Sequence, residues 1–71
     1  MQKSYLDEIL YFKAKELWDE IQKADSEEEI LDILGNLIFH ANDYANVLDN
    51  EGPNGESFET ELAQHRNKRE N

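Results

Sequence analysis

Two stretches with a helical apolar period are joined only by Ala24, Asp25 and Ser26. That link limits what the chain can become more than any other feature. It is too short for a crossover, so two helices on either side of it must lie as antiparallel neighbours, an αα-hairpin. In the first stretch, Leu6, Leu10, Ala14, Leu17, Ile21 and Ala24 recur at spacings of four and three, the stripe of one helix face. Ser4, with Asp7 three residues later, supplies a capping start. No Gly or Pro interrupts, so the spacing predicts a helix from Ser4 to Lys23. Tyr11 and Trp18 flank the stripe on one side and Ile9 on the other. Tyr5 and Phe12 fall outside it, beyond Ile9.

The second stretch opens at Ser26, with Glu27, Glu28 and Glu29 in the first turn, where the helix dipole favours negative charge. Ile30, Ile33, Leu34, Leu37, Ala41, Tyr44, Ala45 and Leu48 form its stripe. Leu31 and Ile38 lie beside that stripe and Phe39 nearly opposite. A helix over Glu27 to Leu48, apolar around so much of its circumference, is expected to be central or to meet two neighbours.

Pro53, Asn54 and Gly55 suit successive later positions of a tight turn. Beyond it, only Phe58, Leu62 and Ala63 are apolar. Glu59 and Glu61 stand early, and Arg66, Lys68 and Arg69 late, the order a helix dipole prefers. The expectation is a short helix from Ser57 to Lys68, with a disordered tail as the alternative. The fold class expected is therefore all-α: an antiparallel hairpin of two long helices plus a short third helix, a small three-helix bundle. In one domain, the hairpin spans 1–49, a loop 50–56, and the third helix with its polar tail 57–71.

Charge narrows function. Seventeen Asp and Glu against seven Lys and Arg give a net charge of −10 over 71 residues. Direct nucleic-acid binding by phosphate neutralisation is disfavoured, as is an anionic membrane surface. No apolar run approaches a membrane span, and the N-terminal residues lack the apolar core of a signal peptide, so a cytoplasmic protein is expected. Without Cys there is no disulfide or thiolate metal site. No cofactor is expected. A chain this short is marginal alone, which favours a partner or a second copy.

Two constellations bear on activity. Glu28-Glu29-Ile30-Leu31-Asp32-Ile33-Leu34, running on to Leu37-Ile38-Phe39-His40-Ala41, resembles the metal-binding second helix of MazG-type all-α nucleotide pyrophosphohydrolases. The resemblance implies a divalent-metal site in which Glu29 and Asp32 match the later motif of that family. Glu16 and Asp19 stand where its earlier motif is expected, with Lys15 in place of that motif's first Glu. His40, with Asp43 and Tyr44 three and four residues on, is a packed rim residue by pattern. No nucleophile pattern and no glycine-rich phosphate loop occurs, so no catalytic residue is expected.

The other constellation is a surface. Tyr5, Phe12 and Phe39 fall off the main stripes, and interfaces favour such aromatics. Asp19, Glu20, Glu28 and Asp32 belong to rows of carboxylates on the polar faces. In composition the chain is similar to small phage-encoded inhibitors and antirestriction proteins. That likeness implies an acidic protein that occupies a basic surface of another protein. The expected function is an acidic protein-interaction module, an inhibitor or regulator of such a partner. The alternatives are a MazG-like hydrolase and a structural homodimer that makes a four-helix bundle from two hairpins, with Leu31, Ile38 and Phe39 near the contact.

Overall fold

The structure is a computed structural model; it describes residues 3–70, with side chains for 3–68. Arg69, expected at the basic end of the third helix, and Asn71 lie outside the described side chains. Three helices follow in order, α1 (Tyr5–Lys23), α2 (Glu27–Glu51) and α3 (Glu56–Glu70). The fold is an all-α three-helix bundle, with no strand among the described residues.

The helix starts follow local chemistry. Ser4 Oγ accepts the Asp7 N–H at 3.1 Å, and Ser26 Oγ accepts the Glu29 N–H at 3.3 Å. Glu29 reaches back to accept the Asp25 N–H at 3.0 Å, so α2 opens on a near-complete capping box. At its other end α2 passes the expected Leu48 and stops at Glu51. Gly52 ends it with φ +85° and ψ 176°, a conformation essentially reserved for glycine, and Pro53 cannot continue a helix.

The turn from Gly52 to Gly55 closes with the Gly55 N–H on the Gly52 carbonyl at 3.2 Å. A Cβ on Gly55 would run into the Glu51 side chain, so the close approach requires glycine. The same turn latches onto α1. Asn54 Oδ1 accepts the Tyr5 N–H at 2.9 Å, and the Pro53 carbonyl accepts the Leu6 N–H at 3.1 Å. With Ser4 on Asp7, the first three N–H groups of α1 are all satisfied from outside the helix.

α3 starts at Glu56, one residue before the expected Ser57, and runs parallel to α1 and antiparallel to α2. It supplies Phe58 (1% exposed) and Leu62 (2%), which close on Ile9, fully buried on α1, and on Tyr44. Tyr5, Leu6, Phe12 and Val47 pack against this core.

Packing departs in part from two expectations. The residues of α1 that pack on the core are Tyr5, Leu6, Ile9 and Phe12; of the rest of the Leu6–Ala24 stripe, Leu10 and Ala14 are exposed and Leu17, Ile21 and Ala24 only half-buried. The second helix meets two neighbours, α1 and α3, as its pattern leads one to expect, but it is not central: Leu31, Leu34, Leu37, Ile38 and Leu48 all meet solvent. The reason is length and position. α3 is about 22 Å long and α2 about 37 Å at 1.5 Å per residue. α3 covers one side of the hairpin near the turn and leaves the rest open.

Candidate functional site

Where α3 crosses α1 and α2, four polar side chains meet at the edge of the core. The Tyr44 hydroxyl donates to Glu61 Oε1 at 2.8 Å. His65 Nδ1 lies 3.2 Å from Glu16 Oε1, and its Nε2 lies 3.9 Å from Glu61 Oε1. The His65 ring stacks on Phe12, with centroids 5.7 Å apart and planes at 15°. Glu16 also approaches Lys13 Nζ at 3.9 Å. Burial pushes the Tyr44 phenol well above its usual range, and the Glu61 carboxylate adds to that shift. Among the described residues, no buried side-chain polar atom lacks a partner.

The sequence reading passed over His65, which is 9% exposed. A signal was present: Phe58, Leu62 and His65 follow at spacings of four and three, and Glu61 precedes His65 by four. Beside this network opens a cleft of about 430 Å³. It is lined by Phe12, Lys15, Glu16, Trp18, Asp19, His65 and Lys68, a wall of both charge signs. The network ties three helices together.

The expected anchors separate. Tyr5 and Phe12 pack inward under α3, while Phe39 is 64% exposed. His40 is half-buried, its ring stacked on Tyr44 at 6.1 Å with Phe39 edge-on at 6.0 Å. The carboxylates separate too. Asp19 lines the cleft beside α3. Glu20 shares the Ile9–Glu16 side of α1 by helical spacing, whereas Glu28 and Asp32 stand on α2. The rows expected along the hairpin therefore do not join into one.

The MazG-like set does not converge. Glu16 is engaged by His65 and Lys13, and Glu29 by the helix start. Among the described residues, no three His, Cys, Asp or Glu side chains are placed to share a metal ion.

What remains coherent is the outer face of α2. Glu28, Asp32, Phe39 and Asp43 fall within about 60° of one another around the helix, and all four are exposed. α2 carries seven carboxylates and no Lys or Arg. Among the described residues, none of the ion pairs uses an α2 carboxylate. No described helix is long and apolar enough to cross a membrane. No protein-family model, no curated protein and no solved structure matches the chain.

Proposed function

We propose that the chain is an acidic protein-binding module that regulates or inhibits a partner with a basic surface, and that it docks through the outer face of α2. The observation that carries this reading is Phe39, a large exposed aromatic among Glu28, Asp32 and Asp43 on a helix without a single positive side chain. A desolvated aromatic anchors a contact, and unpaired carboxylates around it attract a cationic rim while rejecting acidic proteins. Tyr5 and Phe12 are left out of this proposed contact, because they pack against the core.

The test begins with capture from the cells that encode the chain, comparing wild type with Glu28→Gln/Asp32→Asn/Asp43→Asn and with Phe39→Ala. A basic protein should be retained by the wild type. Its association rate should fall as salt approaches physiological strength, where the Debye length is about 8 Å. The triple amide variant should slow association, and Phe39→Ala should speed dissociation. A captured partner that is acidic, or a complex formed at a rate indifferent to salt and to the amides, would overturn the reading.

A further inference from the structure

A second face of α2 follows a different logic. Leu31, Leu34, Ile38, Ala41, Ala45 and Leu48 recur at spacings of three, four, three, four and three. That is the period of a seam between paired helices. All six are exposed, Leu31 to 67% and Ile38 to 64%. On α1, Leu10, Ala14 and Trp18 follow at steps of four and are exposed as well. Taking the core-facing residues of each helix as reference, both stripes turn to the side of the hairpin away from α3.

Charge says what fits there. From Ile33 to Asn42 the helix has no Asp, Glu, Lys or Arg, in a chain that is 34% charged. A basic partner finds no carboxylate to pair with along this stretch, and a second copy of the same stretch meets no repulsion. Gly35, with open space beside it, adds no bulk at the rim. Area agrees. The protomer exposes 5664 Å², whereas a compact monomer of this mass exposes about 4,600 Å². The protomer therefore leaves more surface open than a compact monomer of its mass, surface that a second copy can cover.

We infer that two copies of this chain pair hairpin against hairpin through the Leu31–Leu48 seam, forming a four-helix layer with α3 on the outside of each. The pairing is isologous, the same seam meeting itself across a two-fold axis. Phe39 lies about 100° round the helix from Ile38, so the acidic face stays free and the dimer does not depend on the partner reading above.

Sedimentation equilibrium on the full chain tests this. Wild type should show twice 8.3 kDa at micromolar concentration, and its melting temperature should rise with concentration. Ile38→Glu places a charge in the seam and should weaken pairing about thirtyfold or more. Because Ile38 is exposed in the protomer, that variant should keep its helical circular dichroism, which separates lost pairing from lost folding. Phe39→Ala should remain dimeric. A wild-type mass of 8.3 kDa up to millimolar concentration, a dimer untouched by Ile38→Glu, or a dimer lost in Phe39→Ala would each overturn the inference.

Discussion

At the end of the hairpin where α1 begins, Tyr5, Leu6, Ile9, Tyr44 and Val47 are covered by α3, and the turn before α3 caps α1. Toward the link end, Trp18, Leu31, Leu34 and Ile38 are no less apolar and meet solvent. The two regions share helix type, period and hydrophobic content. They differ in whether a third element reaches them. Apolar periodicity therefore marks surface that needs a cover, and chain connectivity decides which part the protomer covers itself.

The largest expected effect tests that division directly. Phe58→Ala and Leu62→Ala each leave a cavity in a core built from few side chains, and such truncations cost about 2–5 kcal/mol. A core of this size rarely supplies more than about 3–5 kcal/mol, so either variant should be largely unfolded by circular dichroism at 25 °C. Leu31→Ala, measured where the chain is monomeric, should stay within about 0.5 kcal/mol of wild type. Equal losses at Leu62 and Leu31 in urea melts would mean that both regions are closed in the protomer, and the contrast would fail.

A middle-sized effect lies in the network between the helices. Tyr44→Phe removes the donor to Glu61 in a partly buried place, with an expected loss of about 1 kcal/mol. The variant sharpens the comparison because the open region has no equivalent bond between helices to lose among those the structure shows. A urea melt superimposable on wild type would reduce the network to surface chemistry. Smaller still is the pair between Arg66 and Glu8, at 3.2 Å but with Arg66 more than half exposed. Arg66→Ala should cost less than about 1 kcal/mol, and the loss should shrink as salt is raised.

How much of this was legible follows the same line. The link of Ala24, Asp25 and Ser26, the caps at Ser4 and Ser26, and the stop at Gly52-Pro53 are local, and their chemistry is written in adjacent residues. So the three helices and the hairpin could be read. The core could not. Tyr5 and Phe12 sit off the longer α1 stripe, and Phe58 and Leu62 lie in a segment too polar to suggest a centre. Their burial comes from a contact across some fifty residues, the Asn54–Tyr5 bond, which places α3 beside α1. His65 was missed for the same reason: its partners Phe12 and Glu16 are distant in sequence. The exposed α2 face of Glu28, Asp32, Phe39 and Asp43 needs only helical spacing, yet which aromatics remain outside depends on α3.

The finest test concerns the joint that brings α3 back. Glu51, the last residue of α2, accepts the Ser57 N–H at 3.0 Å on one carboxylate oxygen and the Ser57 hydroxyl at 2.7 Å on the other. The bond from the Ser57 backbone, followed by that from its hydroxyl, holds the carboxyl below its usual value. A group whose folded pKa is depressed stabilises the fold above its unfolded pKa, about 4.3 for Glu. That contribution fades as pH falls through the lower folded value. Wild type should therefore lose part of its thermal stability on acidification below about pH 4.3, where Glu51→Gln, already weaker at neutral pH, loses less. The quantity to follow is the gap between the two melting temperatures from pH 6 to 3. A gap that narrows as the pH falls places proton-sensitive stability at the covered end of the molecule. A gap that is absent at pH 6, or constant throughout, would show that the joint is held by the turn glycines and the Asn54 latch alone.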